Sequence, residues 1–218
     1  MTRRTIDLTE ELLDYVIANG SAPDPVTQEL IDETYAKLPD EAGMQIGPDQ
    51  ARLLTMLAKI VGARHAVEVG TFTGFSAIAI ARGLVDGGKL ICCDISTEFT
   101  EIAKRYWARA GVDDRIELRI GPAADTLAAL PDEPYLDLTF IDADKGGYPR
   151  YWDETVRRTR TGGLIIVDNV LRGGRVIDPA PDAEVRAIVE FNKLVLGDDR
   201  VDAMVLPLAD GITLARRR

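Results

Sequence analysis

Short apolar runs alternate with longer, helix-periodic segments through most of this sequence, and this alternation limits the folds open to the chain. The predicted strands are HAVEV (65–69), KLICCD (89–94), RIELRI (115–120), LDLTFID (136–142) and GLIIVDN (163–169). The helices predicted after them span residues 74–85, 98–110, 124–130, 148–159 and 183–196. Strands separated by helices can pair in parallel, so the pattern predicts a parallel sheet with helices on both faces.

The two ends of the chain complete the predicted architecture. Helices are expected over residues 8–18, 26–38 and 48–62, within an N-terminal helical lid segment that spans residues 1–62. The C-terminal sequence VDAMVLPLADGITLARR predicts two short strands around a turn at Asp210-Gly211. We therefore expect an α/β fold with a doubly wound, mostly parallel, seven-stranded, Rossmann-like sheet and a C-terminal antiparallel hairpin. Because no linker or repeat interrupts residues 1–218, we expect a single domain.

Charge and composition exclude several classes of partner. A formal net charge of -10 disfavours nucleic acid, because phosphate backbones bind basic surfaces. No apolar run reaches the roughly 18 residues of a membrane span, and the early arginines precede no signal-peptide stretch. The adjacent Cys92 and Cys93 would point to opposite faces of a strand, so we expect reduced thiols and a cytoplasmic protein. The single histidine, His65, disfavours a histidine-based catalytic triad and a zinc site with three histidines.

Acidic side chains lie at the carboxyl ends of four predicted strands, namely Glu68, Asp94, Asp142 and Asp168. Ligands of open α/β sheets bind beyond these ends, near the point where strand order reverses. A single carboxylate at such a position is commonly a helix cap or a turn residue. Because four of them converge on one edge of the predicted sheet, we interpret this edge as a binding site.

The first strand leads into a corner with the sequence VEVGTFTGFS, whose glycines permit a tight turn and a close approach to a ligand. Asp94 follows Gly70 at roughly the spacing, about 20 residues, at which an acidic side chain binds the hydroxyls of a ribose. The corner lacks the closely paired glycines of a pyrophosphate site and is lined by carboxylates. These features favour a cationic adenosine cofactor without phosphate, and S-adenosylmethionine (SAM) has this chemistry.

Several segments together resemble the cation-dependent class I O-methyltransferases of the catechol and caffeoyl-CoA type, especially their small bacterial members. The segments are MQIGPDQARLL, VEVGTFTGFSA, CDIS, GPA, FIDADKGGY, GGLIIVDNVLRGGRV and LADGITLARR, and the resemblance covers nearly the whole chain. The residues that the resemblance implies for the cofactor are Ile46, Glu68, Gly70, Thr71, Ser76, Asp94, Ala123 and Asp142. The resemblance also implies that Asp142, Asp168 and Asn169 hold a metal ion. It further implies a catalytic role for Asp142, a general base at Lys145, and a homodimer.

The chemistry of this ligand set supports the implied reaction. Two carboxylates and an amide oxygen are hard ligands, which suit Mg²⁺ and also Ca²⁺ or Mn²⁺. A 1,2-dihydroxy aromatic could chelate such an ion through both oxygens, so we predict metal-dependent methyl transfer from SAM to a catechol-like phenolic acceptor. Arg172 and Arg175 in the loop at 170–181 could suit an acidic acceptor. Two alternatives stay open: an NAD(P)-dependent oxidoreductase and a SAM-binding module without catalysis.

Overall fold

The computed structural model describes residues 6–218, in which the strands form a sheet of order β3-β2-β1-β4-β5-β7-β6. The strands are β1 (His65–Val69), β2 (Lys89–Asp94), β3 (Ile116–Ile120), β4 (Leu136–Ile141), β5 (Thr159–Val167), β6 (Val201–Leu206) and β7 (Ile212–Arg217). Strands β1 to β5 pair in parallel, and β7 pairs antiparallel with both β5 and β6. The predicted doubly wound, mostly parallel sheet with a C-terminal hairpin is confirmed.

Helices cover both faces of this sheet. They are α1 (Glu10–Val16), α2 (Pro25–Lys37), α3 (Pro48–Val61), α4 (Phe75–Gly83), α5 (Thr97–Ala110), α6 (Ala123–Ala128), α7 (Tyr148–Arg158) and α8 (Ala183–Leu196). One core cluster joins β1 and β2 to α2, α3, α4 and α5, and includes Leu54, Ile78 and Trp107. The other lies under α6, α7 and α8 and includes Trp152 and Phe191. Within residues 6–218, no helix combines the length and apolar character needed to span a bilayer.

The first helix differs from its prediction. It begins at Glu10 because the side chain of Thr9 accepts the Leu12 N–H, and past Val16 the backbone continues as a wider turn. None of its residues is buried, so this helix contributes no buried side chain to the core. Residues 1–5 of the predicted lid segment lie outside the described residues.

Strand β5 begins at Thr159 rather than at residue 163, and helix α7 ends one residue earlier than predicted, at Arg158. The register with β4 shifts between Leu136 and Leu138, and the irregular stretch includes Gly162 with a φ of 82°. The segment TRTGG has no apolar alternation, so its entry into the sheet depends on pairing with β4 rather than on local propensity.

Backbone hydrogen bonds extend the parallel ladder beyond the strands at the edge that carries the predicted site. The Asp142 N–H donates to the Val69 carbonyl at 2.8 Å, and the Asp168 N–H donates to the Ile141 carbonyl at 3.0 Å. Strand order reverses between β1 and β4. The tips of β1 and β2 therefore lie on one side of the reversal, and the tips of β4 and β5 lie on the other.

Candidate active site

A cleft of about 1090 Å³ opens at the carboxyl ends of the parallel strands. This volume suits a cofactor together with a small second molecule. The predicted site residues that line it are Ile46, Gly70, Thr71, Ser76, Asp94, Ala123, Asp142, Lys145, Asp168 and Asn169. Glu68 does not line it. The structure thus gathers all but one of the predicted site residues around a single cavity.

Asp94 organises the corner between β1 and α4. Its Oδ2 accepts the N–H groups of Thr71 at 2.9 Å and Phe72 at 2.8 Å, and its Oδ1 accepts the Ser96 N–H at 2.8 Å. Phe72 has a φ of 51°, in the left-handed region that larger residues rarely adopt. Hydrogen bonds to a carboxylate are stronger than those between neutral groups, so Asp94 stabilises this turn without a ligand.

Gly70 and Gly74 are required by packing as well as by the turn. A Cβ atom on Gly70 would lie 2.0 Å from the carbonyl oxygen of Asp142, and one on Gly74 would lie 2.6 Å from Trp107 Nε1. Both glycines have positive φ, at 90° and 86°. The sequence interpretation assigned them to a close approach of a ligand. The structure adds that the tip of β4 and the helix α5 press directly against this corner.

Glu68 lies beneath the corner and is fully buried. Its Oε2 accepts a hydrogen bond from Cys92 Sγ at 3.3 Å, while its Oε1 has no hydrogen-bond partner among residues 6–218. Burial raises the pKa of Glu68 to about 8. Burial thus favours the neutral, protonated carboxyl group of Glu68, whereas the sequence analysis grouped Glu68 with the carboxylates that line the binding site.

Lys145 brings two of the predicted metal ligands together. Its Nζ donates to Asp142 Oδ1 at 3.1 Å, to Asn169 Oδ1 at 2.5 Å and to the Tyr148 hydroxyl at 2.9 Å. Asn169 has a φ of 58°, a conformation that asparagine adopts more readily than most residues. The oxygens from the tips of β4 and β5 thus converge on one positive centre at the edge of the cleft.

Asp168, the third predicted ligand, is 2% exposed. Its Oδ1 accepts the Asn169 N–H at 2.6 Å, and its Oδ2 accepts a hydrogen bond from Gln50 Nε2 at 2.9 Å. Burial, followed by repulsion from Asp142, raises the pKa of Asp168, and burial also raises the pKa of Asp142. The two carboxylates thus share one electrostatic environment, in which an added cation would be stabilising.

A metal ion at this position would depend on the amide oxygen of Asn169. Among residues 6–218, no group of three or more His, Cys, Asp or Glu side chains is arranged to hold an ion. Asp142, Asp168 and Asn169 together offer two carboxylates and one amide oxygen, which is a donor set for Mg²⁺, Ca²⁺ or Mn²⁺. The donor chemistry fits a hard divalent cation.

The structure also shows the contacts of Tyr148 and of the two arginines that the sequence suggested for an acidic acceptor, Arg172 and Arg175. Tyr148 is buried, and its hydroxyl donates to the Asp168 carbonyl at 3.0 Å while it accepts from Lys145, so it holds the lysine in place. Arg172 lines the cleft but pairs with Glu184 at 2.6 Å. The guanidinium of Arg175 pairs with a carboxylate of the same loop region, so both arginines are neutralised.

The residues of the cleft wall that the sequence did not indicate include Ile95, Phe72 and Gln50. Ile95 is 77% exposed and lines the cleft immediately after Asp94, and an apolar residue directly after the acid at a strand end could have indicated it. Phe72 packs edge-on against Phe99 with ring centroids 4.9 Å apart. Gln50 lies on α3, and no local signal links it to a strand tip more than a hundred residues away.

Comparison with known proteins places this arrangement in a family. The sequence model of the O-methyltransferase family matches residues 18–218. A protein of Dictyostelium discoideum named probable caffeoyl-CoA O-methyltransferase 2 is 38% identical over 214 residues, which cover 96% of this chain and 92% of that protein.

Solved structures share both the fold and the sequence similarity. The O-methyltransferase from Bacillus cereus, solved in complex with SAH, has a TM-score of 0.85 at 34% identity and covers 94% of this chain and 96% of its own. An O-methyltransferase from Streptomyces achromogenes involved in tomaymycin synthesis, solved in complex with SAM, has a TM-score of 0.85 at 32% identity and covers 94% of each chain. As the resemblance of its sequence implied, this chain belongs to the O-methyltransferase family of enzymes.

Proposed function

We propose that the protein transfers a methyl group from SAM to one hydroxyl of a vicinal dihydroxy aromatic, with the help of a divalent cation. The observation that carries this proposal is the convergence of Asp142 and Asn169 oxygens on the Lys145 ammonium, at the edge of the cleft. Oxygens that stabilise one positive centre there can hold another.

The half of the cleft at the tips of β1 and β2 is the proposed seat of SAM. Its wall contains Gly70, Thr71, Ser76 and Asp94, with Ile46 and Ala123 on neighbouring segments. The relatives from Bacillus cereus and Streptomyces achromogenes were solved with SAH and SAM, which supports the same cofactor here. In this proposal Asp94 accepts from the ribose, and Glu68 supports the corner from behind.

The charge of the cleft supports a cationic methyl donor over a dinucleotide. Among the described residues that line the cleft, Lys145 and Arg172 are the basic side chains, and each is paired with a carboxylate. Neither is available for a pyrophosphate, which normally needs a glycine-rich turn with closely paired glycines. Together with the family assignment, this argues against the NAD(P)-dependent oxidoreductase.

In the proposed metal site, Asp142, Asp168 and Asn169 are the protein ligands, and Mg²⁺ is the ion that we favour over Ca²⁺ and Mn²⁺. When bound, such an ion orients two neighbouring hydroxyls and lowers the pKa of one of them. The lysine beside this site is the proposed proton acceptor. Its Nζ donates to Asp142, Asn169 and Tyr148 as an ammonium, so it must first release one proton to solvent before the neutral amine can accept the proton of the substrate hydroxyl.

The acceptor is proposed to be a small catechol rather than a coenzyme A thioester, although relatives are named after caffeoyl-CoA. The acidic side chains that line the cleft are Asp49, Asp94, Asp142, Asp144, Asp168, Glu184 and Asp210. They outnumber the two basic side chains, Lys145 and Arg172, by five, so the cleft keeps an excess of acidic groups after the ion pairs with Asp142 and Glu184 are counted. A coenzyme A moiety carries several phosphate charges, and like charges at an interface oppose association.

One assay tests the proposal. The purified protein is incubated with labelled SAM and a panel of catechols, in matched reactions containing Mg²⁺ or EDTA. We expect a methylated product that disappears with EDTA and returns when Mg²⁺ is added in excess. Turnover that is indifferent to the chelator would remove the metal from the mechanism. SAM binding without turnover of any catechol would favour the non-catalytic module.

We further propose a cytoplasmic homodimer, supported by the sequence resemblance and by apolar side chains exposed on the N-terminal helices. Tyr15 is 64% exposed and Ile60 is 74% exposed. Light scattering after size-exclusion chromatography would measure the mass, for which we expect twice the 23.8 kDa of the chain. A single-chain mass at micromolar concentration would contradict the dimer.

A further inference from the structure

We propose that Gln50 is a positioning residue, which orients the Asp168 carboxylate for the cation and ties the metal site to the segment that covers the cofactor. The inference rests on the proposed metal-assisted reaction. Its starting point is a hydrogen bond of 2.9 Å from Gln50 Nε2 to Asp168 Oδ2. This bond joins helix α3 to the tip of β5.

The surroundings of Gln50 make this bond specific. The side chain is 4% exposed and lines the cleft, so water does not readily replace its contacts. Its Oε1 accepts the Gly47 N–H at 3.1 Å, which fixes the orientation of the amide. The amide NH₂ therefore points to Asp168. Because the amide is neutral, it donates a hydrogen bond to the carboxylate without competing with a cation for the site.

The second bond of Asp168 shows why such a donor matters. Asp168 Oδ1 already accepts the Asn169 N–H, so the Gln50 bond leaves the carboxylate with both oxygens held. A carboxylate whose two oxygens each accept a hydrogen bond has a fixed orientation. The lone pairs that remain for a metal ion therefore point in a fixed direction. Groups that hold metal ligands in this way commonly contribute 10- to 100-fold to metal affinity or activity.

The same segment is attached to the cofactor side by a different glutamine. Gln45 Nε2 donates to Thr73 Oγ1 at 2.9 Å and to Thr34 Oγ1 at 3.1 Å, and Thr73 belongs to the corner after β1. Residues 45–50 thus bridge the two halves of the cleft, with one glutamine bonded to each. Substituting Gln45 and Gln50 separately therefore tests the two halves of the cleft one at a time.

Gln50→Met and Gln45→Met each replace a glutamine with an apolar side chain of similar length. Binding of Mn²⁺ alone is measured by electron paramagnetic resonance on the full chain, and SAM binding is measured by calorimetry in EDTA. For Gln50→Met we expect the Mn²⁺ dissociation constant to rise at least about tenfold, with SAM affinity within twofold of the wild type. For Gln45→Met we expect weaker SAM binding and Mn²⁺ affinity within twofold of the wild type.

The outcomes separate this inference from the proposed function. A wild-type protein that binds no Mn²⁺ would overturn both. A wild-type protein that binds Mn²⁺ with unchanged affinity in Gln50→Met would overturn the positioning role alone, as would an equal loss of Mn²⁺ binding in both variants. Thermal melting in EDTA checks the fold of each variant, and Gln50→Leu provides a second apolar replacement if Gln50→Met fails to fold.

Discussion

The Lys145 ammonium lies 3.1 Å from Asp142 Oδ1 and donates to Asn169 Oδ1 at the same time, so it occupies the oxygens proposed for a divalent cation. The lysine and the cation therefore compete for the same donors. This competition gives the mutational predictions for the site a definite direction.

Lys145→Met should bind metal more tightly than the wild type while losing turnover. Removing the ammonium frees two oxygen ligands, so we expect the Mn²⁺ dissociation constant to fall several-fold. Loss of the proposed base should reduce kcat by about 10²- to 10⁴-fold. Electron paramagnetic resonance and a methyl transfer assay measure the two effects, with Lys104→Met as an exposed control. Weaker metal binding in Lys145→Met would contradict the competition.

Asp168→Ala should abolish Mg²⁺-dependent turnover and leave most of the SAM affinity. The carboxylate belongs to the tip of β5, whereas the proposed SAM contacts lie at β1 and β2. Calorimetry with SAM in EDTA separates binding from catalysis. Asp178→Ala, in the neighbouring loop and exposed, serves as the control. Turnover near the wild-type rate in Asp168→Ala would exclude a metal-ligand role for this side chain.

We expect the free energy of unfolding of the wild type to fall as the pH rises, and we expect Glu68→Gln to abolish the part of this fall that comes from Glu68. Burial raises the pKa of Glu68 from 4.5 to about 8, so between these values the unfolded chain releases a proton that the folded protein keeps. The free energy of unfolding should fall with rising pH over this window, by at most about 1.4 kcal/mol per pH unit from this group. The loss begins near the unfolded pKa and ends near the folded one.

Urea denaturation at pH 5, 6.5 and 8 measures this difference for the cofactor-free protein. The stability of Glu68→Gln relative to the wild type should increase with pH, because glutamine has no proton to lose. Glu133→Gln, at an exposed loop position, should track the wild type. Parallel pH profiles for the wild type and Glu68→Gln would show that Glu68 ionises normally.

Gly70→Ala should destabilise the protein strongly, by about 2 kcal/mol or more, because the new Cβ would meet the Asp142 carbonyl oxygen at 2.0 Å. Gly111→Ala is the matched control, since Gly111 also has a positive φ, of 66°, but a Cβ there meets nothing within 4 Å. It should cost only about 1 kcal/mol from backbone strain. Chemical denaturation measures the free energy of unfolding of both variants. Equal losses of stability would show that the close contact with the Asp142 carbonyl oxygen does not contribute.

A small catechol should be methylated with a higher kcat/KM than the coenzyme A thioester of a catechol acid. The acidic cleft opposes the phosphates of the thioester, and raising the salt concentration should narrow the difference because it screens charge. Parallel initial-rate measurements at two ionic strengths check this. A preference for the thioester at low salt would overturn the charge argument.

The sequence predicts the half of the site that depends on strand ends. Apolar runs precede Asp142, Asp168 and Asn169. The carboxyl ends of parallel strands lie at one edge of the sheet, regardless of which side chains surround them. The hydrogen bonds that other side chains make to these residues cannot be predicted in the same way. The bond between Gln50 and Asp168 needs the packing of α3 across the sheet, and no local pattern encodes that distance.

Glu68 shows a second limit of sequence reasoning. Its position in a strand next to the corner predicts proximity to a ligand but not which face of the strand it occupies. The structure places it behind the wall with its Oε1 unpaired among the described residues, where burial decides its protonation. Similarly, the sequence predicts a helix over residues 8–18 but not that α1 buries none of its side chains.

The reversal of strand order between β1 and β4 separates the seat proposed for the methyl donor from the residues proposed to hold the ion. The loop from Arg172 to Ile177 and the turn at Asp210 lie beside the ion-holding half, and the Gly173 N–H donates to the Asp210 side chain. Neither segment includes a residue from the tips of β1 and β2. In related enzymes with this architecture, substitutions in these two segments can therefore change the methyl acceptor without changing the residues proposed to bind the methyl donor.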